Sequence, residues 1–525
     1  MQEQEIKKKI VSILLEKNIL ISPELLEQLQ NQDIDSFLQQ IQSKLSSEDL
    51  LVINNEINKI KKTDVNWQEL EKSKALSEKG KNQKIYSKFI KYAEEEEKQE
   101  PKTQSPSQNT QVKVVSSYKE ESKKRDVQDF VSYFNARYRA IEKLLRNRQE
   151  LQNIMSINRI LNKTTRETIS LIGMVKEKNY TKNGNLMLVL EDTTGCIKTL
   201  VNKTKPELFN AAKDIVLDET IGVVGANGQN IVFANNMIWP DIPIKELKKS
   251  PKEAYAIFLS DLHVGSKQFL PKEFNRFLDW INQRTGTPQQ REIASKVKYI
   301  FILGDLVDGC GIYPEQDTEL EIEDIYQQYE ACASLLKQIP SSIQLIICPG
   351  NHDAMRIAEP QLELYKDFAK SIWELPNITM ISNPAMVNIH SSEKFDGFDI
   401  LVYHGYSFDY YVANVDSIRN QGGYDRADLI MSFLLQRRHL APTYKSTLCI
   451  PDTEKDPLVI NQIPDFFVTG HIHKSIAANY KNITLISGSC WQSKTTFQEK
   501  VGHNPEPARI PIVNLQTRQI KILKF

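Results

Sequence analysis

The sequence predicts a multidomain protein in which an α/β domain follows a small β-barrel and an N-terminal helical module. The chain has 525 residues, which is too long for one ordinary domain. Short strand-like runs bounded by turn residues fill about residues 165–243. After Pro251 the apolar runs become continuous and alternate with amphipathic helices, which is typical of a sheet buried on both faces.

Composition excludes several classes of protein. Lys plus Arg and Asp plus Glu each number 67, so the chain is neither a uniformly basic nucleic-acid coat nor an acidic tail protein. No apolar run approaches the roughly 20 residues that span a bilayer. The start, MQEQEIKKKI, does not resemble a secretory signal, and the six cysteines are scattered without a CxxC pair. We therefore expect an intracellular protein with reduced thiols and no membrane segment.

Three segments precede the barrel. Residues 1–70 carry apolar residues at helical spacing, beginning with Ile6, Ile10 and Ile13, and we expect a helical interaction module. Residues 71–127 are polar and poor in apolar side chains, which favours a flexible linker. Helical spacing returns in Phe130, Phe134 and Ile141, so 128–163 is expected to be a helical connector.

Residues 164–245 contain five short runs of β-forming residues: TISLIGMV, NLMLVLED, IKTLV, TIGVVGA and NIVFANNMIW. Turn signals such as Asn183-Gly184 and Asn227-Gly228 separate them. Five such strands favour an OB-fold barrel, with an unspecified small barrel as the alternative. Few aromatic residues occur on these strands, so a base-stacking surface is not expected here.

The α/β domain, 250–525, has apolar strands in YAIFLS, KYIFIL, QLIIC, DILVY, FFVT and ITLI. The local basic pairs Lys248-Lys249 and Arg437-Arg438 could contact phosphate, although such pairs more often only keep a surface solvated. The C-terminal QIKILKF has a weak similarity to a sliding-clamp peptide, but it is more typical of a last strand.

Five compact motifs directly follow apolar strands, and four of them hold five of the eight histidines: Asp261-Leu-His263, Gly304-Asp305-Leu-Val-Asp308-Gly309, Gly350-Asn351-His352-Asp353, His404-Gly405 and Gly470-His471-Ile-His473. Ligands of open α/β sheets bind at the carboxyl ends of strands, so these motifs are expected to converge. Oxygen and imidazole donors without thiolates suit Mn²⁺, Fe or Zn²⁺. They are too many for one ion, and a dinuclear site that hydrolyses a phosphoester accounts for their number. His390, His439 and His503 lack this context and are left out.

These motifs, in this order, resemble the calcineurin-like metallophosphoesterase superfamily over about 275 residues. The resemblance implies a two-layered sheet sandwich flanked by helices and two divalent ions, with Mn²⁺ favoured and Mg²⁺, Fe or Zn²⁺ as alternatives. One ion would be held by Asp261, His263 and His473, the other by Asn351, His404 and His471, and Asp305 would bridge them. His352 matches the catalytic histidine that contacts the scissile phosphate. Asp308 and Asp353 would hold loops or orient histidines.

The domain order resembles the small subunit of archaeal family D DNA polymerase. Gly309 stands where the related protein phosphatases have arginine, and Trp491-Gln492, Phe497-Gln498 and 504–509 are similar to the closing segment of the polymerase family. The similarity covers about 128–525, and the first 127 residues only in general layout.

The resemblance implies a metal-dependent 3′→5′ exonuclease that proofreads within a DNA-directed DNA polymerase complex. The implied partners are the large catalytic subunit, DNA with a 3′ end and, through the complex, a sliding clamp. The implied location is the archaeal cytoplasm, at the nucleoid. A catalytically silent B-type scaffold subunit and a free-standing metallophosphodiesterase are the alternatives. Every ligand position is filled, which favours the active nuclease.

Overall fold

The computed structural model describes residues 19–21, 51–53, 112–120, 123–452, 454–500 and 502–525. The chain divides into two units, Met1–Pro106 and Ser107–Phe525. In the first unit the described residues form two parallel strands, β1 (Ile19–Ile21) and β2 (Leu51–Ile53). These six residues are strands where we expected helix; the rest of the helical prediction for 1–70 lies outside the described residues.

The polar linker expected over 71–127 includes a strand, β3 (Val112–Ser117). This strand pairs antiparallel with Ala385–Ile389 at the edge of a sheet. The linker prediction is therefore wrong for residues 112–117. Their sequence, VKVVSS, is rich in β-branched residues, but Val114 and Val115 stay exposed, so no buried apolar run indicated a strand. Residues 71–111 lie outside the described residues.

Two helices connect this strand to the barrel, α1 (Val127–Leu145) and α2 (Ile157–Leu161). Asp126 and Asp129 form a reciprocal capping box that satisfies backbone N–H groups at the start of α1. The buried face of α1 includes Tyr138, Ile141 and Leu145, which pack with residues of the barrel. The connector is thus fixed by apolar contacts along one helical face.

The barrel consists of β4 (Thr168–Tyr180), β5 (Leu186–Asp192), β6 (Gly195–Val201), helix α3 (Pro206–Lys213), β7 (Thr220–Asn227) and β8 (Ile231–Ile238). The strand order is β4-β5-β6-β8-β7, and the barrel closes because β4 pairs with both β5 and β7. β6 and β8 are parallel, and the other pairs are antiparallel. Alternate side chains of β5 and β6 point into a common apolar core.

Two six-stranded mixed sheets form the α/β domain. Ordered along the first sheet are β12 (Ile378–Met380), β11 (Gln344–Cys348), β10 (Val297–Leu303), β9 (Tyr255–Leu259), β18 (Arg509–Asn514) and β19 (Ile520–Lys524). Ordered along the second are β16 (Ile476–Tyr480), β17 (Ile483–Ser487), β15 (Phe466–Thr469), β14 (Phe398–Val402), β13 (Ala385–Ile389) and β3. The C-terminal residues form strand β19, as expected.

The sheets pack face to face and carry helices on their outer faces. Phe258, Phe301 and Phe466 belong to the core between the sheets. The first sheet is covered by α4 (Pro271–Ile281), α5 (Pro288–Ser295), α6 (Ile325–Leu336) and α7 (Lys366–Trp373). The second is covered by α8 (Phe408–Asn414), α9 (Asp416–Asn420) and α10 (Ala427–Arg437), and a short α11 (Thr496–Lys500) follows late in the chain. The protein is therefore a multidomain α/β protein with mixed sheets.

Arg437 and Arg438 are buried where the barrel meets the α/β domain, which corrects the idea that this pair contacts phosphate. Arg437 pairs with Glu219 of the barrel at 2.6 Å. Arg438 donates to the carbonyl oxygens of Ile460 and Asn461, each at 2.7 Å. Both guanidinium groups thus stabilise the junction between the domains. None of the described helices is both long and apolar enough to cross a membrane.

Candidate metal centre

The five motifs follow strands of both sheets. Asp261, Asp305 and Asn351 come after β9, β10 and β11 of the first sheet, whereas His404 and His471 come after β14 and β15 of the second. The strands of each group are parallel, so their carboxyl ends lie together. The structure brings all seven predicted ligands and His352 to this one place.

The backbone of the site is unusual. Five of the predicted ligands have φ between 51° and 70°, the left-handed region that non-glycine residues rarely adopt: Asp261, His263, Asp305, His471 and His473. Gly304 has a φ of 92°, and a Cβ there would collide with Nδ1 of His404. Such strain persists only where the surrounding structure enforces it, and it is typical of functional sites.

The first cluster is formed by Asp261, His263 and His473. The Nε2 atoms of the two histidines are 3.1 Å apart, and Nε2 of His473 is 3.3 Å from Oδ1 of Asp261. Nδ1 of His263 lies 3.1 Å from the Asp308 carboxylate, which in its ionised form only accepts hydrogen bonds. The proton of a neutral His263 therefore belongs on Nδ1, and the lone pair of Nε2 faces the cluster.

The second cluster is formed by Asp305, His404, His471 and Asn351. Nδ1 of His404 donates to the carbonyl oxygen of Leu303 at 2.7 Å, which leaves the lone pair on Nε2. That Nε2 atom lies 2.9 Å from Oδ1 of Asn351 and 3.3 Å from Oδ2 of Asp305. Nε2 of His471 contacts the Asp409 carboxylate at 3.0 Å, so Nδ1 is the nitrogen left for the cluster.

Asp305 lies between the clusters. Its Oδ2 atom is 3.3 Å from Nε2 of His404 and 4.0 Å from Nε2 of His263, while Oδ1 accepts from the backbone N–H of His352 at 2.7 Å. Burial by itself would raise the pKa of Asp305, but the His404 and His352 imidazoles outweigh it and hold the pKa well below its usual range. Burial by itself would lower the pKa of His404, but the charge of Asp305 attracts a proton to Nε2 of His404 and raises that pKa to about 10. A bound cation would take the place of this proton.

Both clusters bring together nitrogen and oxygen atoms of the kind that ligate a cation. Ligand atoms of Asp261, His263 and His473 all lie within 4.8 Å of one another, and so do those of Asp305, His404 and His471. At each cluster, lone pairs of nitrogen and oxygen converge and mutually repel unless positive charge lies between them. Oxygen and imidazole donors without thiolate are the set that Mn²⁺, Fe and Zn²⁺ accept. These buried clusters could therefore bind metal ions.

The three remaining predicted residues adjoin the clusters. The imidazole of His352 stands edge-on to His263, with ring centroids 4.6 Å apart, and its Nδ1 donates to the carbonyl oxygen of Asp308 at 2.8 Å. The Asp308 carboxylate also accepts from Gln492 and Gln316. Asp353 accepts from the backbone N–H groups of Leu306 and Gly350 and from the Tyr329 hydroxyl, and burial raises its pKa to about 7.

A cavity of about 450 Å³ opens onto both clusters. Its lining includes residues that the sequence analysis did not select: Ile312, Tyr313, Tyr406, Asp409, Tyr424, Gln492, Thr495, Gln498 and His503. Gln492 and Gln498 belong to the closing segment that resembles the polymerase family, and that resemblance could have indicated that they lie near the site. Tyr406 and Asp409 follow His404 closely, but nothing in their spacing indicated the site.

Comparison with known proteins decides the family. Residues 256–477 match the family described as the B subunits of DNA polymerases alpha and epsilon. The DNA polymerase II small subunit of Methanothermobacter thermautotrophicus is 38% identical over 400 residues, which cover 76% of this chain and 80% of that protein. The chain belongs to the family of archaeal DNA polymerase II small subunits. This confirms the resemblance stated from the sequence.

Other members of the DNA polymerase II small subunit family match in a similar way. The Pyrococcus furiosus protein is 38% identical over 403 residues, which cover 76% of this chain and 64% of that protein. The chain therefore spans about two thirds of the length of that relative. A solved structure of an archaeal phosphodiesterase is 14% identical and covers 52% of this chain and 99% of its own, with a TM-score of 0.26. A likeness this weak carries no argument.

Proposed function

We propose that the chain is the exonuclease subunit of a heteromeric replicative DNA polymerase, which removes nucleotides from the 3′ end of DNA by metal-dependent hydrolysis. The position of Asp305 is the observation that carries this proposal, since one carboxylate lies between two clusters of converging lone pairs. A subunit that serves only as a scaffold would not need these converging nitrogen and oxygen atoms. Membership of the polymerase family favours a DNA substrate over a small nucleotide.

The cofactors that we propose are two divalent ions, with Mn²⁺ favoured. Asp261, His263 and His473 would hold one ion, and Asn351, His404 and His471 the other, with Asp305 shared. Such ions supply Lewis acids that neutralise phosphate charge and an activated water. The chain's own contribution is to fix the donors: Asp308 orients His263, and the Leu303 carbonyl orients His404.

His352 is proposed as the catalytic residue that contacts the scissile phosphate. Its Nδ1 is bonded to the Asp308 carbonyl, so Nε2 is the nitrogen left for the substrate. It lines the cavity beside the first cluster, where its ring stands edge-on to the ring of His263. From there it can assist the leaving 3′ oxygen as an acid or stabilise the charge of the transition state.

The proposal extends to the other domains. The order β4-β5-β6-β8-β7, with parallel β6 and β8 and helix α3 between β6 and β7, supports an OB-fold for residues 164–245. The balance of 67 basic and 67 acidic residues favours a subunit that obtains its affinity for DNA from a larger chain. We propose the large catalytic subunit as that partner.

The test is cleavage of a 3′-mismatched primer, labelled at its 5′ end, by the purified chain with Mn²⁺, alone and with the large subunit. We expect progressive shortening from the 3′ end with the wild type and none with Asp305→Ala. The matched control is Asp367→Ala, because Asp367 is an exposed carboxylate at the start of α7.

Absence of shortening by the wild type under both conditions would refute the nuclease function. Equal shortening by wild type and Asp305→Ala would also refute it, because the activity would then not depend on the shared carboxylate. Metal content measured on the same preparations should fall in Asp305→Ala and stay unchanged in Asp367→Ala.

A further inference from the structure

Three aromatic side chains line the cavity beside the second cluster: Tyr406, Tyr424 and His503. The rings of Tyr424 and His503 have centroids 4.0 Å apart and are inclined at 50°. Tyr406 lies 5.7 Å from the ring of His471. The three come from separate segments, the loop after β14, a 3-10 helix at Gly423–Arg426 and the loop after α11, so the fold assembles this wall from distant parts of the sequence.

The wall is tied to the second cluster through Asp409. The Tyr424 hydroxyl helps to lower the pKa of the Asp409 carboxyl, and that carboxylate lies 3.0 Å from Nε2 of His471. All three aromatic residues are only partly buried. A π surface therefore borders the cavity within one side chain of a predicted metal ligand.

His352 lines the same cavity and lies beside the first cluster, in contact with His263. In 3′→5′ hydrolysis the leaving 3′ oxygen belongs to the strand that remains, and His352 is the residue proposed to assist it. The nucleotide that is released keeps the phosphate on its 5′ oxygen and so extends away from the leaving group. The side next to His471 is the part of the cavity left for it.

We propose that Tyr424 and His503, with Tyr406, form a stacking platform for the base of the 3′-terminal nucleotide. This proposal rests on the nuclease function above and adds the specificity-determining part of the same site. The cavity, at about 450 Å³, falls in the size range of small-ligand pockets. An aromatic face accepts all four bases, because every base has a π face.

A platform of this kind selects for unpaired ends. A base can stack on Tyr424 only after it has left its own duplex stack, and leaving costs least when the base is mismatched or single-stranded. Preference for a mismatched primer end would thus follow from the cost of unpairing, without any group that reads the mismatch itself.

The test compares two single-stranded DNA oligonucleotides, one with an ordinary 3′-terminal nucleotide and one with an abasic 3′-terminal residue. The full chain is used with Mn²⁺ and the large subunit, and kcat/KM is measured for each. The wild type should remove the ordinary nucleotide about tenfold faster than the abasic one, since stacking on an aromatic residue changes binding by roughly this factor.

Three variants test whether the ring of Tyr424 causes the difference in rate between the two substrates. Tyr424→Leu should lower the ratio of the two rates from about ten to about one, because only the ordinary nucleotide has a base that can stack on the ring. Tyr424→Phe should keep the tenfold ratio, because the ring remains and only the hydroxyl beside Asp409 is lost. Tyr326→Leu is the matched control, because Tyr326 is an exposed tyrosine on α6 outside the cavity.

A wild-type ratio near one would overturn the platform while leaving the nuclease function intact. Equal slowing of both substrates by Tyr424→Leu would overturn it too, because Tyr424 would then act through Asp409 and His471. Loss of the ratio in Tyr424→Phe would lead to the same conclusion. Failure of the wild type to cleave either substrate would contradict the nuclease function itself, and the platform with it.

Discussion

Two buried assemblies of histidine and aspartate in this protein look alike in composition and differ in hydrogen bonding. One is the candidate metal centre, and the other joins α1 to the α/β domain through Arg137, Asp456 and His439. In the second assembly Arg137 donates to Asp456 at 2.6 Å, and Nε2 of His439 lies 2.7 Å from the same carboxylate. Arg137, His439 and Asp456 are almost inaccessible to solvent, and so are Asp261, His263, Asp305 and His404 of the candidate metal centre.

The two assemblies differ in the number of hydrogen-bond donors that face their acceptors. Nδ1 of His439 accepts from the backbone N–H of Ala441, so its Nε2 carries the proton and donates to Asp456. Arg137 also donates to the carbonyl oxygen of Pro442 and the hydroxyl of Tyr133. Each acceptor there has a donor, and a guanidinium already supplies the positive charge. At the candidate metal centre the imidazoles turn ring nitrogens toward one another and toward carboxylates, an arrangement whose charge a bound cation could balance.

The largest expected effect concerns His352 at the metal centre. His352→Ala should lower the rate of cleavage by about 10²–10⁴-fold, which is the usual contribution of a positioned acid or base. Metal content and thermal stability should stay as in the wild type, because His352 is not among the proposed ligands. Elemental analysis and the primer assay check this together, with His390→Asn as the control. Loss of metal along with activity would contradict the assignment.

A smaller effect, on stability, is expected from Arg137 in the second assembly. Arg137→Met leaves the Asp456 carboxylate buried without its cation and should lower the free energy of unfolding by about 3–5 kcal/mol. Urea denaturation measures the change, and Arg139→Met, an exposed arginine of the same helix, is the control. A change within about 1 kcal/mol would show that His439 alone can satisfy Asp456.

The smallest effect is a pH dependence of stability through His439. Burial, together with the charge of Arg137, lowers the pKa of His439 to about 4, against 6.5 when it is exposed. Between these pH values His439 binds a proton in the unfolded chain but not in the folded chain. Stability from this group is therefore complete above about pH 6.5 and falls by up to about 3 kcal/mol as the pH drops to 4.

Unfolding free energies of wild type and His439→Gln at pH 7.5, 6 and 5 measure this contribution. The variant should show the smaller loss on acidification, because glutamine does not titrate. An equal loss in both proteins would mean that His439 is protonated in the folded state, which would contradict the hydrogen bond that its Nδ1 accepts from Ala441.

Much of the α/β domain was predictable because its central strands are parallel and buried on both faces. The runs that end before Asp261, Asp305 and Asn351 are continuously apolar, which a local pattern reveals. The edge strand β3 was missed, since Val114 and Val115 are exposed and its pairing with β13 joins residues far apart in sequence.

The candidate site divides in the same way. The predicted ligands follow strands directly, so the strand pattern placed them. Asp409, Tyr424 and His503 lie in loops and short helices without a periodic pattern, and they reach the cavity only because α8, a 3-10 helix and the closing segment pack around it. His503 was set aside for lack of a motif and yet lines the cavity.

By itself the sequence determined the types of donor, their order along the chain and their positions at strand ends, because these depend on local patterns of a few residues. The tertiary structure decided which nitrogen of each histidine faces the cluster, that Arg437 and Arg438 are buried, and that aromatic residues form one wall of the cavity. The physical reason is that tautomers, ion pairs and cavity walls depend on partners from distant segments, such as Asp308 for His263 and Glu219 for Arg437.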